Sequence, residues 1–253
     1  MNLFKKLLTF TIILALCVLM LGAFTRLTDA GLGCPDWPGC YGHYLPESIT
    51  SLPSLKHPLD LLKALTEMYH RYLAGSLIST IVLCLFILCL KPMISAKIPL
   101  FLPLCLFGLL GFQAALGMWT VTLKLLPTVV MGHLLGGFLI FASLVGMRAC
   151  LVEKTEAYPQ IYKRLLGLGV LLLFCQIALG GWVSANYAGI SCLGFPMCNG
   201  MWVPDIHWQE AFQFTHPLGL NYQGGVMSVD ARMSIQFLHR LGALVVLLYW
   251  SLL

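Results

Sequence analysis

The sequence carries very little charge, and this scarcity is the first constraint on the kind of protein it encodes. Only 10% of its 253 residues are Asp, Glu, Lys or Arg, whereas 59% are hydrophobic and the mean hydropathy is +0.87. A soluble domain carries about 25% charged residues, so a soluble fold is excluded. The sequence also lacks a basic patch with interleaved aromatic residues, so its net charge of +5 does not indicate nucleic-acid binding.

The sequence also has few features of a removable targeting segment. The first apolar run follows Lys5 and Lys6, as in a signal peptide, but no small-x-small cleavage site follows it cleanly and Thr25-Arg26 continues into a repeated motif. No Arg- and Ser-rich transit segment is present. We therefore expect the first run to be a membrane helix, in a bacterial inner membrane, with a signal peptide as the alternative.

Long apolar runs are abundant, and they predict an all-α polytopic membrane protein. Backbone polar groups within lipid must bond internally, and a run of about 20 apolar residues as a helix crosses the ~30 Å hydrocarbon layer. The runs are Leu7–Thr25, Tyr72–Leu90, Ile98–Thr122, Leu125–Met147, Leu165–Val203 and a sixth that begins near Met233. The 13 residues from Leu241 to Leu253 make about 20 Å of helix, so we expect the sixth helix to be cut short.

Basic residues near the helix ends predict the orientation of the chain. They place the N-terminus and the exits of the even-numbered helices in the cytoplasm, because cytoplasmic loops are enriched in Lys and Arg. The residues are Lys5, Lys6, Lys91, Lys97, Arg148, Lys154, Lys163 and Arg164. The long segment Ala185–Arg232 holds only Arg232, so we expect it and the matching earlier loop to be periplasmic.

A cysteine loop occurs twice, 158 positions apart, and shows that the chain is a duplicated unit. The copies run from Ala30 to Gly42 and from Ala188 to Gly200, and share Ala-Gly, two Cys, an aromatic-Pro pair and a Gly. A His-Arg pair follows each copy, at His70 and at His239. Matching offsets over so many positions are the signature of an internal repeat.

The repeat predicts two pseudo-symmetric four-helix units in parallel repeat, related by an axis along the membrane normal. The N-terminal unit spans residues 1–150, a cytoplasmic linker spans 151–163, and the second unit spans 164–253. We expect the second unit to be truncated after its second helix. The role of residues 207–232 is not predicted.

Four cysteines in the outer loops are candidates for disulfide bonds, which persist outside the cytoplasm. If each loop closes on itself, Cys34 pairs with Cys40 and Cys192 pairs with Cys198. Pairing between the two copies is the alternative. Each pair is either a loop staple or a dithiol that exchanges electrons.

Histidines in the apolar helices are candidate metal ligands. His70 and His133 lie in the outer halves of helices that run the same way, so two imidazoles at matched depth can bind one metal from opposite sides. Haem iron suits this arrangement better than zinc, because no third and fourth ligand is near either histidine. A histidine bonded to a helix neighbour is the alternative.

Charged residues accompany these histidines. Glu67 lies three residues before His70 on the same helix face, either to act on a bound haem or as an interfacial carboxylate paired with Arg71 or Lys63. Arg26, Arg71 and Arg240 are candidates to pair with haem propionates, and snorkelling to the interface is their other role.

Together these motifs closely resemble the bacterial haem A synthase family, which is related to the mitochondrial haem A synthase of cytochrome oxidase assembly. The resemblance covers essentially the whole chain. Its motifs are Gly22-x-x-Thr25-Arg26-Leu27-Thr28-x-x-Gly31-Leu32-x-Cys34-Pro35-Asp36-Trp37-Pro38-x-Cys40, Glu67-x-x-His70-Arg71, Gly132-His133-Leu134 and His239-Arg240.

The resemblance implies an eight-helix membrane oxidoreductase that oxidises the C8 methyl of haem O to the formyl group of haem A for terminal oxidases. It implies that His70 and His133 hold the substrate haem O, with Glu67 as a catalytic residue. Haem O synthase, a farnesyltransferase, is then the implied source of substrate, and membrane lipid surrounds the protein.

The resemblance also implies a haem b cofactor, with its iron bound in the second unit by His239 beside Arg240. Its second histidine would fall near position 302, beyond this chain. The electron acceptor, the oxygen source and the oligomeric state, including a homo-oligomer, stay open.

Two other functions stay open on the residues alone. One is a membrane thiol-disulfide oxidoreductase that uses the periplasmic cysteine pairs, although its usual form is C-x-x-C at a helix start and both pairs here are C-x5-C. The other is a di-haem b electron-transfer cytochrome.

Overall fold

A computed structural model describes residues 2–50, 52, 57–152 and 159–253 of the chain. Within those residues the protein is all-helical, without a strand, as predicted. The helices are α1 (Asn2–Leu27), α2 (Pro46–Ile49), α3 (Pro58–Tyr72), a π-helix (Leu73–Ile78), α4 (Ser79–Cys89), α5 (Pro92–Ser95), α6 (Phe101–Thr122), α7 (Pro127–Ala149), α8 (Gln160–Ala185), α9 (Trp208–Ala211) and α10 (Val229–Leu252).

Six helical segments are long and apolar enough to cross a membrane, which confirms a multi-pass membrane protein. The segments are α1, the continuous run Leu59–Cys89 formed by α3, the π-helix and α4, and then α6, α7, α8 and α10. Their outer faces expose large apolar side chains such as Phe10, Leu104 and Leu171, as lipid contact requires.

The expectation of a shortened sixth helix is wrong. Helix α10 has 24 residues, because it begins at Val229 rather than near Met233, and its length of about 36 Å is enough to cross the bilayer. Ser228 caps its start, since the Ser228 hydroxyl accepts a hydrogen bond from the Ala231 amide at 3.2 Å.

The second span changes helix type directly after the His70-Arg71 pair. Helix α3 ends at Tyr72 and a π-helix occupies Leu73–Ile78 before α4 resumes at Ser79. The backbone therefore continues as one helical segment while its side-chain register shifts one turn beyond His70.

By its backbone contacts the described chain divides into two compact units. The first comprises residues 1–122 and 136–153, and the second comprises residues 123–135 and 154–253. The boundary crosses α7, so the N-terminal part of that helix is grouped with α8 and α10. Part of the predicted linker 151–163, namely residues 153–158 with Lys154, lies outside the described residues.

Each unit has its own apolar core. In the first, α1, α4, α6 and α7 bury Leu8, Leu85, Leu106 and Leu144 against one another, all 1% exposed or less. In the second, Trp182 of α8 and Ile235 of α10 form the centre of a smaller cluster with residues from α9 and its loops. In each unit two helices pack together at the positions of the repeated motif, α1 with α3 in the first and α8 with α10 in the second.

Candidate functional site

The first cysteine loop is fastened to α3 through a buried carboxylate. Glu67 is 4% exposed, and its Oε2 accepts a hydrogen bond from the Cys34 backbone N–H at 2.8 Å. Its Oε1 accepts one from Nη2 of Arg71 at 2.5 Å. The carboxylate is therefore held at both oxygens, by the loop on one side and by its own helix on the other. Of the two ion pairs open to Glu67 from the sequence, the structure shows the one with Arg71.

Arg71 continues the attachment on its other side. Its Nη1 donates to the backbone carbonyls of Asp36 at 2.8 Å and Gly39 at 2.7 Å. A guanidinium presents several donors in a rigid fork, so one side chain can bond a carboxylate and two loop carbonyls at once. These contacts give Arg71 a structural task, and propionate binding stays a prediction.

The loop backbone touches the helix backbone at one point. A Cβ on Gly33 would lie 2.6 Å from the Lys63 carbonyl carbon and 2.8 Å from the Ala64 nitrogen. Both are backbone atoms that no side-chain rotation can move. Only glycine therefore allows the loop to approach α3 closely enough for the Cys34 amide to reach Glu67.

The imidazole of His70 lies against the backbone of α1. A Cβ on Gly22 would stand 2.9 Å from the His70 Cε1 atom. Because Gly22 has no side chain, the ring fills the space that any other residue would occupy. The last two turns of α3 thus place Glu67 and His70 three residues apart, with His70 directed at α1 and Glu67 at the loop.

The second cysteine loop is also attached to its helix by an arginine, but a glutamine takes the place of the buried glutamate. Nη1 of Arg240 donates to the Gly194 carbonyl at 2.6 Å and to that of Met197 at 3.2 Å, and Nη2 donates to the Cys192 carbonyl. Gln236 stands where Glu67 stands in the first copy, and its Nε2 donates to the Gly189 carbonyl at 3.1 Å. The arginine clasp is therefore common to both copies, whereas the buried acid belongs to the first alone.

His239 occupies the place of His70 in the second copy. A Cβ on Gly180 of α8 would lie 2.9 Å from the His239 Cε1 atom, the same spacing as between Gly22 and His70. An additional contact comes from α8, because Nε2 of Gln176 lies 2.9 Å from Nδ1 of His239 and donates to the His239 carbonyl at 2.9 Å. This glutamine was not among the residues predicted to form the site.

Both predicted local disulfides are present, Cys34–Cys40 and Cys192–Cys198. The aromatic–proline peptide bond in each loop is cis. Different side chains organise the two loops: Asp36 accepts from two backbone amides in the first, whereas Asn199 bridges the Leu193 amide and the Ser191 carbonyl in the second. The pairing is settled within each loop, and electron exchange by these cysteines stays a prediction.

Arg26 lies at the end of α1 in a small group of charges. Its Nη1 is 4.0 Å from Oδ1 of Asp29, and Nζ of Lys63 is 3.7 Å from Oδ2 of the same carboxylate. Lys63 therefore pairs with Asp29 and not with Glu67. Pairing of Arg26 with a propionate stays a prediction.

His133 lies on α7 in the part grouped with the second unit, between Gly132 and Gly136. The next residue, Leu134, packs against α8. A Cβ on Gly181 of α8 would lie 2.7 Å from the Cδ2 atom of Leu134. The pairing of His133 with His70 stays a prediction.

The donor chemistry of these residues suits haem better than a bare metal ion. Within the described ranges, no group of three or more His, Cys, Asp and Glu side chains could hold a metal ion. Haem supplies four ligands itself and needs only an imidazole on the axis. His70 and His239, each seated against a glycine in a helix pair, fit that requirement.

The long second loop, whose role the sequence did not indicate, is tied to the start of α10. The carboxylate of Glu210 accepts from the Ser228 amide at 2.6 Å and from its hydroxyl at 2.7 Å, and these bonds hold the pKa of Glu210 below its ordinary value. In the same segment, the Ala211 carbonyl accepts a hydrogen bond from the Trp182 indole at 2.7 Å. The Trp182 ring also stacks with the His216 ring, and burial lowers the pKa of His216. This segment is therefore attached to the C-terminal end of α8 and to the N-terminal start of α10.

Sequence reasoning located the histidines, Glu67 and the cysteines but missed two sets of contacts. One is the clasp of each arginine on loop carbonyls, which no motif encodes because the acceptors are backbone atoms. The other is Gln176, for which a signal existed: Gln176-Ile-Ala-Leu-Gly180 echoes Gln113-Ala-Ala-Leu-Gly117. In the first unit Gln113 packs against Gly136 as Gln176 packs against Gly242.

Comparison with known proteins gives a consistent result over nearly the full chain. The COX15-CtaA family model, described as cytochrome oxidase assembly protein, matches residues 5–253. A haem A synthase of Shewanella oneidensis is 43% identical over 253 aligned positions, which cover 94% of this chain and 74% of that protein. Haem A synthases of Shouchella clausii and Mesorhizobium japonicum are 27% and 28% identical, and the matches cover 98% and 92% of this chain and 75% and 68% of those proteins.

Proposed function

Since the chain belongs to the COX15-CtaA family of cytochrome oxidase assembly proteins, we propose that it is a haem A synthase, a membrane oxidoreductase of haem A biosynthesis. The reaction is oxidation of the C8 methyl of haem O to a formyl group, which gives haem A for terminal oxidases. The observation that carries the proposal is the placement of Glu67 and His70 on one face of α3, in a chain 43% identical to a haem A synthase.

In this proposal the first copy binds the substrate. His70 and His133 are the axial ligands that hold haem O, and the seat against Gly22 fixes the His70 ring before the substrate arrives. A ring that is already oriented needs no further ordering on binding, which favours a single position of the reacting methyl. Arg26 and Arg71 lie at the outer end of the same helix pair, where they can face propionates.

Glu67 is the residue proposed to act at the reacting edge. Oxidation of a C–H bond to a carbonyl releases protons, and a buried carboxylate near the substrate can accept them. The Cys34 amide and Arg71 hold its two oxygens, so its position is determined by the loop as well as by α3. Gln236 in the second copy has no such proton to exchange, which supports assigning substrate chemistry to the first copy alone.

The second copy is the proposed cofactor site. His239 would ligate the iron of a haem b, with Arg240 at the same end of the helix pair. When bound, haem b supplies one-electron transfer. The chain's own contribution is the clamp on His239 by Gly180 and Gln176.

The orientation read from the basic residues completes the proposal. The protein lies in the bacterial inner membrane with its N-terminus in the cytoplasm and both cysteine loops in the periplasm. Haem O reaches it from the farnesyltransferase that makes haem O, within the same membrane. The electron acceptor is not assigned.

The test is production of haem A in a bacterial strain that makes haem O and has no haem A synthase of its own. We expect this chain to yield haem A or its alcohol intermediate in chromatography of extracted haem. His70→Ala and Glu67→Ala each abolish that product, because one removes an axial ligand and the other the carboxylate at the reacting edge. Haem A at the parental level in either variant would remove that residue's proposed role.

Two matched substitutions control for general damage. Glu47→Ala removes an exposed carboxylate of the short helix α2, and His43→Ala removes a loop imidazole from a residue that bonds Cys40 through its backbone. Both are expected to retain product. Extraction of haem b alone from the parent would favour a di-haem cytochrome instead, and a chain without haem would favour the thiol-disulfide enzyme, which the family match does not support.

A further inference from the structure

We propose that Gln176 is a positioning residue for His239, which fixes the imidazole so that its Nε2 is presented to the iron of the cofactor. The inference rests on the proposed function for the identity of that cofactor, a haem b. One amide side chain thus orients the ligand histidine and hydrogen-bonds to its ring.

The amide lies within bonding distance of the ring and of the backbone behind it. Nε2 of Gln176 is 2.9 Å from Nδ1 of His239 and 2.9 Å from the His239 carbonyl oxygen. Bonds to two atoms of one residue fix the amide relative to both the ring and the helix that carries it. The contact joins α8 to α10 across 63 positions of sequence.

Two glycines make this contact possible. A Cβ on Gly242 would lie 2.2 Å from Oε1 of Gln176, so the amide occupies the side-chain space of Gly242, one turn beyond His239 on α10. A Cβ on Gly180, one turn beyond Gln176 on α8, would lie 2.9 Å from the His239 Cε1 atom. The amide therefore lies in a slot on α10, and the ring lies in a slot on α8.

An amide is a suitable partner for a histidine that binds iron through Nε2. Such a histidine carries its proton on Nδ1 and is commonly held there by a hydrogen-bond acceptor, which orients the ring and raises its basicity. Glutamine has a donor and an acceptor at the same end of the side chain. In the structure the amide nitrogen faces both Nδ1 and the His239 carbonyl. To accept from an Nδ1–H, the Gln176 amide must turn its oxygen toward the ring and give up its bond to that carbonyl, so iron binding through Nε2 requires the amide to reorient.

The first copy has a different residue at this place. Val18 stands on α1 four residues before Gly22, as Gln176 stands on α8 four residues before Gly180. Valine cannot hydrogen-bond a ring nitrogen. The contrast between the copies is therefore between the surroundings of His239 and those of His70. Beside the other proposed ligand, His133, the glutamine Gln113 packs against Gly136, three residues further along α7, as Gln176 packs against Gly242.

The direct test is nitrogen-15 NMR of the ring nitrogens in the full chain without added haem. The His239 signals are assigned by their loss in His239→Ala. We expect Gln176→Leu to shift the His239 Nδ1 signal and the balance between its two tautomers, because leucine fills a similar volume without a hydrogen-bonding group. Gln209→Leu, the same chemical change on an exposed face of α9, leaves those signals in place. Unchanged His239 signals in Gln176→Leu would overturn the proposal.

The second test measures cofactor binding, with haem b itself as the probe. In the full chain carrying His70→Ala, so that the first copy does not contribute, Gln176→Leu weakens haem b binding by about 10- to 100-fold, the usual effect of losing a partner behind a metal ligand. Gln176→Glu keeps an acceptor at this position, so it retains binding and lowers the reduction potential of the bound haem. Equal affinity and potential in parent and Gln176→Leu would contradict the proposed role.

The proposed function can fail separately. If His239→Ala binds haem b as well as its parent does, the assignment of the cofactor to His239 is wrong, and the NMR measurement still decides whether Gln176 fixes the ring. If His239→Ala loses binding and Gln176→Leu does not, the cofactor site stands and the role of Gln176 is wrong.

Discussion

At the scale of single residues, three glycines shape the site, because each leaves room for a neighbouring group to approach its backbone. Gly22 and Gly180 give the two histidine rings their seats, and Gly33 lets a loop backbone rest on a helix backbone. Each glycine is required by a close approach and not by an unusual backbone angle. Adding one carbon atom at these positions therefore tests the close approach directly.

Gly22→Ala tests the seat of His70. The added Cβ would lie 2.9 Å from the ring, so the imidazole must move away from α1, and we expect haem A production to fall by at least about tenfold. Production is measured by chromatography of extracted haem. Gly108→Ala adds the same carbon to α6 where no atom lies within 4 Å, and it should retain parental product. Parental product from Gly22→Ala would show that the seat is not needed.

Gly33→Ala tests the approach of the loop to α3. The blocking atoms belong to the Lys63 and Ala64 backbone, so the loop must shift and the Cys34–Glu67 hydrogen bond lengthens. We expect a loss of about 1–3 kcal/mol in stability, as for other overpacked contacts, together with faster hydrogen exchange at the Cys34 amide. Gly189→Ala in the second loop has open space and serves as the control. Unchanged exchange at Cys34 would contradict the contact.

At the scale of elements, the helix ends deviate most from the sequence prediction, because loop contacts determine them. The apolar pattern places the start of the sixth helix near Met233, whereas α10 begins at Val229 under a Ser228 cap. Glu210, 18 positions earlier, bonds both the amide and the hydroxyl of that cap. Hydropathy does not report such polar contacts, so the prediction started the helix too late.

The Glu210–Ser228 contact predicts a pH dependence. The folded-state pKa of Glu210 is held below its ordinary value of 4.5 by these hydrogen bonds, so the stabilisation is present above that value and is lost as pH falls through the lower folded pKa. We expect proteolysis of residues 212–228 to accelerate in that acidic range. Glu210→Gln should show faster cleavage already at neutral pH and a smaller increase on acidification. Identical pH profiles for parent and variant would exclude this role.

At the scale of the whole molecule, the long apolar runs and the duplicated loop were sufficient to predict a multi-pass helical protein with the correct disulfides. The helices follow from composition alone, because lipid leaves the backbone no other partners. The arginine clasps could not be predicted, since their partners are backbone carbonyls. The repeated Gln-x-x-x-Gly pattern marks Gln176, but it does not identify His239, 63 positions away, as its partner. Residues with reactive or ligating side chains are recognisable in a sequence, whereas the residues that orient them are identified only from the folded structure.

The predicted orientation can be measured on intact cells. Cysteine introduced at Trp202, an exposed residue of the second outer loop, should react with a membrane-impermeant maleimide from outside, whereas cysteine at Lys91 should react only after lysis. The parent protein, with its six free cysteines in or at the ends of membrane helices, gives the background. Labelling of the Lys91 variant in intact cells would reverse the proposed topology.

The ion pair between Glu67 and Arg71 has one consequence for how the first loop can move. Both members of the pair bond the loop. Glu67 accepts from the Cys34 amide, and Arg71 donates to the Asp36 and Gly39 carbonyls. Lifting the loop from α3 breaks both attachments together and exposes a carboxylate that is otherwise buried. The position of the loop and the exposure of Glu67 are therefore linked, so a motion that lifts the loop from α3 also exposes this carboxylate.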